Sequence, residues 1–187
     1  MAEASNEASG RAEAGRDTEA HYAKESLASL LRQLAEVVGA MSDEQYTRKG
    51  LAHVEGSAGG HVRHSLDHVD ALMGSLSTGC VDYESRERDT DIETNRDAAV
   101  TKLQTLAERV AAIDLDDMTQ PVRVIVRFMS DRPTIATGSS FGRELAFVLS
   151  HTIHHDALIA VIARDLGIEL PTYFGYAPSS VAFLKQQ

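Results

Sequence analysis

Between residues 139 and 166 the chain carries Leu145, Phe147, Val148, Leu149, Ile153, Leu158, Ile159, Val161 and Ile162, with no proline to interrupt them. At 100° per residue these side chains cover most of the circumference of a helix, and a helix that is apolar nearly all round has to be enclosed by others. Ser139 or Ser140 can cap its start and Gly167 its end. This one segment points to helix packed on helix before anything else in the chain is read.

The remaining segments supply the partners. Over 19–41, Leu27, Leu30, Leu31, Leu34, Val37 and Val38 recur at helical spacing. Ser42 followed by Gln45 is a capping box for a short helical turn. A glycine-rich loop over 50–60 precedes a second long helix at 60–77, striped by Val62, Leu66, Val69, Leu72, Met73 and Leu76. After a charged loop at 81–90, a third helix is expected at 92–113 with Ala99, Val100, Leu103, Leu106 and Val110 on its apolar side.

The period then changes. Val122, Val124, Val126 and Phe128 alternate with Arg123, Ile125, Arg127 and Met129, which predicts a strand at 121–129 that turns into a second short one at 134–137. A short helix is expected after Pro178. The expected fold is all-α: a four-helix bundle with a β-hairpin inserted between the third and fourth helices. Residues 19–187 are expected to form a single domain. The tail at 1–18, made of Ala, Glu, Ser, Gly and Arg with no large apolar side chain, is expected to be disordered.

The 187 residues carry a net charge of −10 and one cysteine, Cys80. That acidity argues against nucleic acid or an anionic membrane as partner. A single thiol excludes an internal disulfide framework and any multi-cysteine zinc or iron–sulfur site. The first residues lack the apolar segment of a secretory signal, and no apolar run approaches the ~18 residues of a membrane span. A cytoplasmic protein is expected.

Eight histidines remain to be explained, and six fall in two windows. His61, His64 and His68 lie within about 60° of one another on the second long helix, at the edge of its apolar stripe. His151 and His155 stand one turn apart on one face of the fourth helix, with His154 pointing elsewhere. Imidazoles set into an apolar face need partners, because an unpaired buried polar group costs roughly 1–3 kcal/mol. A divalent ion satisfies two at once, and this i, i+4 spacing is how metalloprotease helices present two nitrogens to one ion. A third histidine from a facing helix would complete the set. The competing reading is a hydrogen-bonded core network without metal. His61 and His64 read as solvated or outer-sphere groups, and His21 and His53 as surface residues.

Other motifs add little. No glutamate follows His151, so the metalloprotease general base is absent. Glu144, two turns earlier on the same face, reads as the first-turn acid that favours a helix N-terminus. Ser139 and Ser140 read as caps, with no G-x-S-x-G elbow around them. Cys80, after Gly79 at a helix end, reads as structural or incidental rather than as a nucleophile. Arg86 and Arg88 belong to a charged run that could meet an anionic substrate but more simply is solvated. Gly59-Gly60 is not a phosphate loop.

The segments GGHVRHSLDHVDAL and LSHTIHHDALI resemble the second- and fourth-helix motifs of the DinB/YfiT-like superfamily of metal-binding four-helix bundles, over residues 19–170. The resemblance implies a divalent metal, zinc or nickel, held by His68, His151 and His155 with an open position for an exogenous ligand. It implies a small-molecule substrate and, by analogy with thiol-dependent transferases and hydrolases of that group, a metal-activated low-molecular-weight thiol or water. It also implies a homodimer. Whether such a site is catalytic, or serves a metal-stabilised binding or sensing module, the residues leave open.

Overall fold

The computed structural model describes residues 2–51, 54–85, 90–114 and 118–186, with the side chains of residues 2–20 and of Thr90 excepted. Helix α1 (Ala2–Gly39) is followed by the short α2 (Asp43–Thr47) and by α3 (Ala58–Thr78). Strand β1 (Cys80–Asp82), α4 (Thr90–Thr94) and α5 (Arg96–Ala111) come next. Strands β2 (Pro121–Val126) and β3 (Ile135–Ser140) lead into α6 (Phe141–Asp165), and α7 (Pro178–Leu184) stands near the end.

The four long helices α1, α3, α5 and α6 share one core. Leu27, Leu31 and Leu34 of α1, Leu103 and Leu106 of α5, Val69 and Leu72 of α3, and Leu145 and Ile159 of α6 all belong to it and are essentially inaccessible to water. At roughly 1.5–3 kcal/mol per fully buried side chain, this core is the main stabilising contribution to the fold. Lys24 fastens α1 to the end of α5 by donating from Nζ to the Ile113 carbonyl at 2.7 Å.

Local signals set most boundaries. Both halves of the Ser42/Gln45 capping box form, at 3.2 and 2.8 Å. Ser57 caps α3 and Ser140 caps α6. Gly79 ends α3 in the left-handed region (φ 66°) and donates to the Ser75 carbonyl. There are also differences from expectation. The third helix is broken: Asn95 leaves α4 and caps α5 by accepting from Ala98 at 3.0 Å, the position asparagine prefers over a helix interior.

The inserted hairpin is larger than expected. Residues 80–82, at the start of the expected charged loop, run parallel beside β2, which itself pairs antiparallel with β3, giving a three-stranded sheet in the order β1-β2-β3. The turn at Gly79 carries the chain straight from α3 onto this sheet, and burial of Val81 seats it there. Helix α1 begins at Ala2, so its backbone includes residues 2–18.

Helix α6 also departs from its sequence reading. It is not enclosed all round, since Phe147 and Val161 reach the surface. By length and mean hydropathy, 1.5 over its most apolar stretch, it is apolar enough to cross a membrane, although polar residues such as Ser150, His151 and Asp156 interrupt every apolar run in it. Here 44% of that stretch is buried within the protein.

Candidate metal centre

Helices α3 and α6 face each other and bring the two histidine windows together. One ligand atom each from His64, His68 and His151 lies within 4.8 Å of the other two, close enough to hold one metal ion. His155 joins the same cluster, its ring 4.6 Å from that of His151 and 4.7 Å from that of His64. His61 completes it from one turn before His64, with its Nδ1 at 3.1 Å from His155 Nδ1. Of the three residues expected to ligate, His68 and His151 fall within this close group, whereas His155 lies against His151 and His64 and outside it. His64 stands among them, which the sequence reading had placed outside the ligand set.

The hydrogen bonds constrain which nitrogens are available. His68 Nδ1 lies 3.0 Å from the His64 carbonyl oxygen. A carbonyl only accepts, so Nδ1 carries the proton and the neutral ring keeps its lone pair on Nε2. The His61–His155 contact requires one protonated Nδ1 and one acceptor. Burial first, then the neighbouring His151, His64, His61 and His154, pushes His155 down to about 3, so it is neutral near pH 7. Burial also lowers His61, with the charge of His154 adding to the shift and a hydrogen bond to the Glu55 backbone opposing it. Neutral imidazoles are the form that ligates metal.

An aromatic and acidic wall borders the cluster. Tyr83, just after β1, stacks on His68 with ring centres 5.1 Å apart and planes at 24°. Phe147 lies 5.3 Å from Tyr83 and 5.9 Å from His151, and the Arg143 guanidinium sits over its ring. Tyr83 donates its hydroxyl to Glu144 Oε2 at 2.8 Å. Glu144 Oε1 accepts from Ser139 Oγ at 2.6 Å and from Arg143 at 3.0 Å. Glu144 is only 2% exposed, so it is a buried anchor as well as a first-turn acid, and Ser139 serves it rather than capping the helix.

Other expected positions fall away from the centre. His154 is exposed on α6, 5.1 Å ring to ring from His155, and His21 is exposed beside Tyr22. Cys80 is a half-buried free thiol in β1. His53, Arg86 and Arg88 lie outside the described residues. Sequence reasoning missed Tyr83, which sits in a charged stretch without periodicity. It had the signal for His61 and His64 in their shared face with His68, but no view of the opposite helix.

No family model matches the chain. A solved structure of a DinB-like protein, YjoA from Bacillus subtilis, superimposes with a TM-score of 0.52 at 20% identity, covering 83% of this chain and 98% of that one. The chain has the DinB-like fold. Among curated proteins, FK506-binding protein 5 from Rhizopus delemar is 37% identical over 124 residues, 64% of this chain. The matched stretch is 32% of that protein, so the chain spans about a third of the length of this relative.

Proposed function

We propose that this protein binds one divalent transition-metal ion between α3 and α6, with His68 and His151 as two ligands and His155 as the third, and that it is a metal-dependent enzyme acting on a small molecule. The observation that carries this reading is the convergence of imidazole donors from two helices, with those of His64, His68 and His151 within 4.8 Å of one another and the His155 ring against His151 and His64. An all-imidazole donor set suits zinc or nickel and not magnesium or calcium, which take oxygen ligands. The residues fit the ion in a second respect: the Nδ1 atom of His68 is engaged by the His64 carbonyl, the usual way a ligating ring is held with Nε2 inward, and His155 would be held likewise with its Nδ1 donating to His61. Neutral ligands would leave the ion its full charge, so that when bound it supplies Lewis acidity to a thiol or a water.

The protein's own residues would orient and enclose. His64 stands beside the ligands as a further imidazole, and Phe147, Tyr83 and Arg143 form an apolar and cationic wall at one side. The DinB-like resemblance supports the remaining parts of the reading: a four-helix bundle, a low-molecular-weight thiol as co-substrate, and a cytoplasmic homodimer. A second reading, a metal-stabilised binding or sensing module without catalysis, is favoured by one observation. Glu144, the carboxylate linked to the cluster through Tyr83, is taken up by three donors and is a poor candidate for a general base.

Calorimetric titration with zinc and nickel tests the site. Replacing His68 or His151 by alanine is expected to weaken binding by more than the ~10–100-fold that loss of an outer partner costs. Comparing His155→Ala with His64→Ala identifies the third ligand, the larger loss being expected for His155. Wild-type affinity in His151→Ala would refute the site.

A further inference from the structure

We infer that Tyr83 and Glu144 are a positioning pair for His68: the buried carboxylate holds the phenol, and the phenol ring holds the plane of the imidazole. The inference rests on the reading of His68 as a metal ligand and adds the device that aims it. Glu144 is almost wholly buried, and three donors from three places in the chain converge on it: Ser139 from β3, Arg143 from its own helix, and Tyr83 from the segment after β1. A first-turn acid that served only the helix dipole would not need to be buried. A buried carboxylate carries a large desolvation cost that only full hydrogen bonding offsets.

The consequence of that anchoring is felt at His68. With its hydroxyl tied at 2.8 Å, the Tyr83 ring is held nearly parallel to the His68 ring at 5.1 Å. Phe147 backs both rings, at 5.3 Å from Tyr83 and 6.2 Å from His68. His151 closes in from α6 at 3.9 Å, and the His64 carbonyl fixes Nδ1. The carbonyl sets the tautomer of His68, and the tyrosine sets the tilt of its ring. Neither Tyr83 nor Glu144 would touch the metal.

The β-sheet is what makes the pair possible. The Tyr83 backbone N–H donates to the Ile125 carbonyl at 3.3 Å, so the residue is hung from β2 immediately beyond the last paired position of β1. Ser139 pairs with Val122 in the same sheet. The small sheet thus reaches the centre at two points, directly through the Tyr83 ring on His68 and indirectly through Ser139, which holds Glu144.

The test uses the full chain, with Tyr83→Phe, Tyr83→Leu, Glu144→Ala and Glu144→Gln, and two readouts. In metal-free protein, long-range proton–nitrogen spectra report the two ring nitrogens of His68. In cobalt-loaded protein, the visible absorption bands report ligand geometry, and titration gives affinity. Tyr83→Leu and Glu144→Ala are expected to move the His68 nitrogen signals, shift the cobalt bands and weaken cobalt binding ~10-fold, within the usual range for outer partners. Glu144→Gln, which can still accept from Tyr83, is expected to restore most of the wild-type spectrum, and Tyr83→Phe to fall between.

If Glu144→Ala does not fold, Tyr83→Phe carries the test, because it removes only the hydroxyl. Folded Tyr83→Leu and Tyr83→Phe proteins with unchanged His68 signals and unchanged cobalt bands would overturn the inference. A wild-type protein that binds no cobalt, zinc or nickel would refute the metal reading instead, while the nitrogen signals would still decide whether the pair positions His68.

Discussion

Asp156 follows His155 directly and is fully buried, with neither carboxylate oxygen hydrogen-bonded. Burial pushes its carboxyl well above the usual 3.8, which favours the neutral form in the folded protein. The unfolded chain ionises it from about pH 3.8 upward while the folded chain holds its proton. Stability therefore falls as pH rises through that window. Metal-free Asp156→Asn is expected to melt higher than wild type at pH 8, with the gap closing toward pH 4; a gap independent of pH would show that the carboxyl does not titrate between the two states. His155 has the opposite sign. Its folded value near 3 lies below the ordinary 6.5, so the unfolded state takes up protons first and the metal-free fold loses stability as pH falls below 6.5. At this scale the sequence was informative about position but not about state. The i, i+4 pair His151/His155 could be read directly, whereas the protonation of either depends on which rings the fold packs around them.

Helix α3 shows how an element places a site. It starts at Ser57, turns its face with His61, His64 and His68 toward α6, and ends at Gly79, whose left-handed conformation hands the chain to β1. Gly59 in its first turn lies against the Glu93 carbonyl of α4 and 2.9 Å, measured from where a Cβ would be, from the buried Tyr46 ring. Tyr46 itself donates to the Ile92 carbonyl at 2.7 Å. In an exposed helix a change from glycine to alanine stabilises by up to ~1 kcal/mol. Here the added methyl would collide with backbone, so Gly59→Ala is expected to destabilise by about 1–3 kcal/mol, the cost of overpacking, in urea denaturation. A gain in stability would mean that α4 is free to move away. Gly79→Ala is expected to cost about 1–2 kcal/mol from its positive φ alone. Elements were the most legible scale: the capping box, the Ser140 cap, the terminal Gly167 and the twofold alternation of β2 all stand where local chemistry put them. The break at Asn95 and the pairing of β1 were not legible, because a cap and a helix-interior asparagine look alike in sequence and three residues are too few to show a period.

For the molecule as a whole, an ion bound only by the folded state stabilises by mass action, about 2.7 kcal/mol when present at 100 times its Kd. For a chain of this size that is a rise in Tm of roughly 5–10 °C. Chelation of metal-loaded protein should reverse it, and His151→Ala should show almost none of it. A far larger fall on chelation, with loss of helical signal, would favour the structural site over the catalytic one. The sequence by itself determined the helices, their apolar faces and the two histidine windows, since propensity, capping and periodicity act within a few residues. It also carried the resemblance to DinB-like proteins that the shared fold now supports. Only the tertiary structure decided which rings meet. His64 enters the cluster, His61 pairs with His155, and Tyr83 and Glu144 reach His68 because α3, α6 and the small sheet are packed against one another. Contacts such as His61–His155 and Tyr83–Glu144, 94 and 61 positions apart, leave no period in the chain, so burial and packing had to choose them.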